Sequence, residues 1–172
     1  SHIKRCYIKE LQNMSNEKTK TIMVSGGFDP VHVGHIRMIR AAAEYGDVIV
    51  VANSDNWLHR KKGFVFMEFT KRSEILSAIK GVILVDSVDD TDGTVCEAIR
   101  RHKPDFFANG GDRGKSNTPE QDVCEELGVE LLWGIGGDYK ADASSTLVNR
   151  FRNNTENEEV PPIRGQIKHS ER

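Results

Sequence analysis

Along this chain the apolar residues gather in short β-branched runs, at 21–25, 47–53, 82–86, 105–109 and 129–133, each bounded by Gly, Asp, Asn or Pro and each predicted to be a strand. Runs such as Val48-Ile49-Val50-Val51-Ala52 lack the apolar–polar alternation of a half-solvated strand. They suit a strand covered on both faces, as in a parallel sheet. Between them the spacing predicts helices over 35–45, 68–80, 95–102, 119–127 and 145–152. Thr94-Val95-Cys96-Glu97 and Thr118-Pro119-Glu120-Gln121 read as capping boxes, the second with proline at the first helical position, where its missing N–H costs nothing. With right-handed crossovers, this βα alternation predicts an α/β fold. The expected form is a doubly wound, Rossmann-like parallel sheet of about five strands with helices on both faces and the ligand outside the carboxyl ends of the strands.

Residues 1–18 form a polar lead-in, 19–152 the expected domain and 153–172 a tail. Asn, Glu, Pro and Gly dominate that tail, and Val160-Pro161-Pro162 cannot continue a helix. A chain of 172 residues removes roughly 70% of its unfolded surface from water, so one core can form without metal or disulfide. Twenty-four Lys+Arg against 26 Asp+Glu give a net charge of −2, which offers no general attraction to nucleic acid or to an anionic membrane. The sequence has neither an apolar run of the roughly 18 to 20 residues that span a bilayer nor an apolar signal core, so a cytoplasmic location is expected. Cys6, Cys96 and Cys124 are odd in number, widely spaced and without a C-x-x-C pair, so they read as reduced thiols.

Chemistry concentrates in Ser25-Gly26-Gly27-Phe28-Asp29-Pro30-Val31-His32-Val33-Gly34-His35, which runs from the first strand into the first helix. Paired glycines permit a tight turn and close approach to a ligand, and a helix start offers N–H groups and a positive dipole end to an anion. His32 and His35 lie three residues apart, so both rings can face one phosphate, as hydrogen-bond donors whose charge is adjustable near neutral pH. A bare H-x-x-H also suggests zinc, but the helix lacks H-E-x-x-H and no Cys or His cluster supplies a third ligand, so no protein metal site is assigned.

Gly27-Phe28-Asp29 followed by His32-Val33-Gly34-His35 resembles the signature of the cytidylyltransferase-like nucleotidyltransferases. That family includes glycerol-phosphate cytidylyltransferase, the adenylyltransferase domain of ADP-heptose synthase and archaeal FMN adenylyltransferase. The resemblance extends to Arg60-Lys61-Lys62-Gly63 after the second strand, Arg72 on a later helix, Asn109-Gly110-Gly111-Asp112 after the fourth strand and Ser144-Ser145-Thr146 before the last helix.

What it implies is transfer of CMP or AMP from CTP or ATP, with Mg²⁺, to a small phosphorylated metabolite such as a sugar or polyol phosphate, with release of pyrophosphate. His32, His35 and Lys62 would be catalytic. Gly26, Gly27, Phe28, Asp29, Gly34, Asn109, Gly110, Asp112, Ser144, Ser145 and Thr146 would hold the nucleotide. Arg60, Lys61, Arg72 and Lys140 would meet phosphate or the second substrate, Lys140 standing where the glycerol-phosphate enzymes carry an arginine. A homodimer is expected, and neither nucleic acid nor membrane is an expected partner. A catalytically silent nucleotide-binding module on the same fold is the alternative. The run Phe64-Val65-Phe66-Met67-Glu68-Phe69 stays open between core, subunit contact and lid over the second substrate.

Overall fold

The computed structural model describes residues 4, 19–109, 118–136 and 144–157. Five strands and six helices follow in the order β1 (Thr21–Gly26), α1 (Val33–Ala42), β2 (Asp47–Ala52), α2 (Asp55–Lys62), α3 (Phe69–Ser77), β3 (Val82–Asp86), α4 (Cys96–His102), β4 (Phe106–Asn109), α5 (Pro119–Leu127), β5 (Glu130–Trp133) and α6 (Ser144–Asn157). The strands form one sheet in the order β3-β2-β1-β4-β5, with every neighbouring pair parallel. The chain therefore winds outward from β1 in one direction through β2 and β3, then returns to add β4 and β5 on the other side. The point of reversal lies between β1 and β4, where a doubly wound sheet opens a crevice at its carboxyl edge.

Alternation along the central strands feeds two cores, one on each face. Ile22 and Val24 of β1 join Val48, Val50 and Ala52 of β2, Ile39 and Ala42 of α1 and Leu76 of α3. Met23, Ile49 and Val51 point the other way, onto Ala98 and Ile99 of α4 and Val123 and Cys124 of α5. The α/β doubly wound class holds, with helices on both faces.

Boundaries differ from expectation where capping decides them. Helix α1 starts at Val33, because His32 is its extended N-cap residue and accepts a hydrogen bond from the Gly34 N–H. Helix α2 occupies a stretch expected to be loop. Its eight residues, DNWLHRKK, are polar on average, yet Ser54 caps the start, Asp55 stands in the first turn, four basic residues fill the last, and Gly63 closes it at φ 83°. The expected box at Thr94 does not form. Val95 is the N-cap residue of α4, its N–H donates to Glu120 Oε1 at 3.2 Å, and Glu97 pairs with Arg101 instead. At α5 the predicted cap is present, with Thr118 accepting from the Gln121 N–H. Helix α6 continues to Asn157, four residues past the expected start of the tail at 153. No described helix is long and apolar enough to cross a membrane.

Candidate functional site

The turn from β1 into α1 is shaped by close packing. A Cβ on Gly27 would stand 3.1 Å from Leu58 Cδ2 and 3.5 Å from the Trp57 ring, so a side chain there would fit only if Leu58 shifted slightly. Neither glycine of the pair adopts a left-handed φ; that falls to Phe28, at φ 51°. A phenylalanine held there is strained and must be over-determined by its surroundings. Phe28 is 3% exposed, and its ring meets the His35 ring edge-on at 4.9 Å between centroids. Phe28 thus supports a histidine from below.

His32 and His35 are brought together as a stacked pair, 3.8 Å between ring centroids and 27° between planes. They close a capping box on each other: the Gly34 N–H donates to His32 Nδ1 at 3.1 Å, and the His32 N–H donates to His35 Nδ1 at 3.2 Å. An Nδ1 that accepts carries no hydrogen, so each neutral ring has its proton on Nε2. The Gly34 amide, at a residue expected to hold the nucleotide, is taken by His32. Burial, then the neighbouring His32 and Lys62 charges, pushes the His35 pKa down to about 4. His35 is neutral at pH 7, which corrects the expectation of an adjustable charge.

Lys62, the last residue of α2, supplies the cation. Its Nζ donates to the Asp29 carbonyl at 2.8 Å, and burial pulls the ammonium below its usual range, opposed by Asp29 and assisted by Arg72. The adjoining cations do not join it, because successive helix residues are rotated by about 100°. Arg60 reaches the Asp90 carbonyl at 2.8 Å, and Lys61 lies 5.4 Å from the centroid of the Trp57 ring. Both were expected to meet phosphate or the second substrate; Arg60 is engaged with Asp90 instead, and Lys61 stays exposed beside Trp57.

Two further expectations are overturned by burial. Arg72 is fully buried, with its guanidinium on the carbonyls of Met67 (2.8 Å), Gly27 (2.6 Å) and Asn53 (2.9 Å) and on Asp55 Oδ1 (2.7 Å). It ties four segments together and cannot bind a phosphate. Asp29 is equally buried, and its two carboxylate oxygens accept from the amides of Phe66 and Met67. It holds the 64–69 run in place and does not reach the nucleotide. Within that run Phe66 is 55% exposed, so the run is not simply core.

A frame the sequence did not reveal centres on Asp90, 3% exposed, in the loop after β3. It accepts from Ser54 Oγ (2.6 Å), the Ser54 N–H (2.8 Å) and Asn53 Nδ2 (3.1 Å). Burial alone would raise its carboxyl, but the hydrogen bonds from Ser54 and Asn53 outweigh that and hold it below the ordinary range. Because its carbonyl also takes Arg60, Asp90 fixes both ends of the helix that carries Lys62. The only sequence signal was Asp90 itself, in the polar stretch Asp89-Asp90-Thr91-Asp92, easily read as surface.

On the other side of β1, at the reversal point, a cavity of about 220 Å³ is lined by Ser25, Phe107, Ala108, Asn109, Thr118 and Glu120. Asn109, expected to hold the nucleotide, lines this cavity. Gly110, Asp112 and Lys140 fall outside the described residues, and Ser144, Ser145 and Thr146 are placed only as the first turn of α6. Among the described residues no group of three or more His, Cys, Asp or Glu side chains is arranged to hold a metal ion.

A family model described as cytidylyltransferase-like matches residues 23–160. The bifunctional protein HldE of Desulfatibacillum aliphaticivorans is 30% identical over 148 residues, covering 83% of this chain and 29% of that protein. The HldE of Gluconobacter oxydans (strain 621H) is 35% identical over 116 residues, covering 66% of this chain and 24% of that protein. The chain thus spans less than a third of these curated relatives. Among solved structures, the lipopolysaccharide core biosynthesis protein from Thermoplasma volcanium GSS1 superposes with a TM-score of 0.55 at 24% identity, covering 67% of this chain and 94% of that one. A bifunctional NMN adenylyltransferase/ADP ribose pyrophosphatase from Francisella tularensis gives 0.57 at 14% identity, covering 80% of this chain and 43% of that one. At these identities the two structures establish the shared fold.

Proposed function

Because the chain belongs to the cytidylyltransferase-like family, a family of nucleotidyltransferase type, we propose that it transfers AMP or CMP from ATP or CTP to a small sugar or polyol phosphate, releasing pyrophosphate. The observation that carries this reading is the reciprocal histidine pair beside Lys62: two imidazoles stacked at a helix start and fixed through Nδ1, with an ammonium held on the Asp29 carbonyl close enough to lower the His35 pKa. Phosphoryl chemistry needs little covalent help from protein, and positioned donors that meet developing charge supply most of the catalysis.

In the proposed step an oxygen of the incoming phosphate attacks the α-phosphorus in line. A new P–O bond forms as the bond to the β-phosphate oxygen breaks, and that electron pair leaves with pyrophosphate. His32 and His35 donate to non-bridging oxygens and Lys62 offsets their charge, while Asn109, Gly110, Asp112 and the Ser144-Ser145-Thr146 turn contact the rest of the nucleotide. Mg²⁺ would arrive with the triphosphate. Asp29, the carboxylate nearest these histidines in sequence, has both oxygens committed to backbone amides, so the described residues do not form a protein cage for the ion and no step is assigned to it.

The proposal extends to a cytoplasmic homodimer. Edge strand β3 exposes Ile83 and Leu84 at 59% and 41%, apolar surface that a second copy would bury. Light scattering should return twice the chain mass, and an active monomer would refute the dimer. The activity itself is tested by pyrophosphate release from ATP and CTP across a panel of sugar and polyol phosphates. His32→Ala should lower kcat on the order of 10² to 10³-fold, the loss typical of one preorganised donor. Nucleotide binding without turnover on any member would instead leave a binding module on the same fold.

A further inference from the structure

The two sides of β1 differ in charge. Toward β2 stand the histidine donors and Lys62; toward β4 lies the cavity of about 220 Å³, whose described lining contains no Lys, Arg or His and one carboxylate, Glu120. A triphosphate is drawn to the first, so a nucleotide laid across the carboxyl end of β1 would put its nucleoside end in the cavity. The volume falls below the roughly 300 to 1,000 Å³ of whole small-molecule sites, which suits one part of a ligand. Phe107 and Ala108 supply apolar wall, while Ser25, Asn109 and Thr118 supply polar rim.

Glu120 is oriented before any ligand arrives. Its Oε1 accepts from the Val95 N–H at 3.2 Å, and Oε2 has no hydrogen-bond partner among the described residues. An ionised carboxylate accepts and never donates, so the complementary ligand atom must carry a hydrogen. We propose that Glu120 is a specificity-determining residue that accepts a hydrogen bond from the exocyclic amino group of the base, selecting adenine or cytosine over their keto counterparts. The inference rests on the nucleotidyl-transfer reading above. A keto base at this position sets its carbonyl oxygen against the carboxylate, leaving two acceptors face to face with no proton between them, a mismatch that costs at least about tenfold in affinity.

Glu120→Gln is the informative change, because the Val95 N–H still needs an acceptor. The glutamine carbonyl takes that place and turns its NH₂ to where Oε2 stood, exchanging an acceptor for a donor without altering shape. The experiment is calorimetry with ATP against ITP and CTP against UTP, pairs that differ by amino or keto group at one ring position. Wild type should bind whichever amino nucleotide it prefers at least about tenfold more tightly than its keto partner, and Glu120→Gln should bring that ratio within about threefold or reverse it. Equal wild-type affinity for both members overturns the inference without any variant, as does a ratio that Glu120→Gln leaves unchanged. If the variant instead abolishes discrimination between ATP and 2′-deoxyATP while the amino–keto ratio stands, Glu120 reads the ribose and the base assignment fails. Any of these results beside nucleotide binding that Lys62→Ala weakens leaves the nucleotidyl-transfer reading intact. If wild type binds no nucleotide, that reading falls, and this inference with it.

Discussion

Two sets of charged or ionisable side chains meet at the carboxyl ends of β1 and β2. Arg72, Asp29 and Asp90 are buried to 3% exposure or less, and their polar atoms end on backbone groups or neighbouring side chains. His32, His35 and Lys62 are only partly buried; the two rings are fixed through Nδ1, and the Lys62 ammonium is held through a single carbonyl. The first set is the frame and the second the instrument. In a linear motif the two are mixed, Asp29 three residues before His32, and only desolvation tells them apart. A buried charge with every hydrogen bond made has nothing left to offer a ligand, whereas a half-anchored one is aimed.

Substitutions in the two sets should have opposite consequences, one for stability and the other for turnover. Arg72→Ala strands the buried Asn53 carbonyl, the half-buried carbonyls of Gly27 and Met67 and the Asp55 carboxylate, and should cost roughly 3 kcal/mol of unfolding free energy, read by urea titration. His32→Ala removes a helix cap and should cost about 1 kcal/mol in the same measurement while losing most of the turnover. If Arg72→Ala folds with wild-type stability and only nucleotide affinity falls, Arg72 belongs with the instrument after all.

The layer structure was legible because burial of a parallel strand on both faces leaves a continuous apolar run, as at 48–52, and no other reading of that run competes. The histidine pair was legible because its spacing is local. Arg72 was not, since its partner carbonyl at Gly27 lies 45 residues away and nothing in the residue type announces that it is dry. Helix α2 was missed for the opposite reason. Its punctuation, Ser54 before and Gly63 after, was present in the sequence, but with only Leu58 buried among its eight residues the apolar periodicity was too thin to register. The roles of Arg60 and Lys61 followed from that miss, because a loop can gather three cations around one phosphate and a helix cannot.

A second test sharpens the electrostatic side. His35 is held neutral, with a pKa near 4 against 6.5 for a free histidine. Between those values the unfolded chain binds a proton that the folded one refuses, so stability falls as pH drops from about 6.5 toward 4 and the contribution is complete above that window. About 2.5 pH units at 1.36 kcal/mol each set an upper bound near 3 kcal/mol. His35→Gln should remove that slope, seen as a wild-type-minus-variant difference in urea midpoints that shrinks as pH falls. Parallel curves for the two proteins would mean that the ring is already hydrated in the folded state.

The smallest expected effect is the most discriminating for α2. Arg60, Lys61 and Lys62 carry one charge each, and a diffuse field would make their removal equivalent apart from screening. The geometry makes them unequal: Lys62 alone is drawn by the Asp29 carbonyl toward His35, while Arg60 is spent on Asp90 and Lys61 lies against Trp57. Lys62→Ala should weaken nucleotide binding at least about tenfold, as loss of a charge-assisted contact does, and Arg60→Ala and Lys61→Ala less than about threefold each. Titration of the three variants against one triphosphate at two salt concentrations decides it. Equal losses that vanish together at high salt would show that the helix attracts phosphate as a patch, and the distinction between frame and instrument would not extend to this helix.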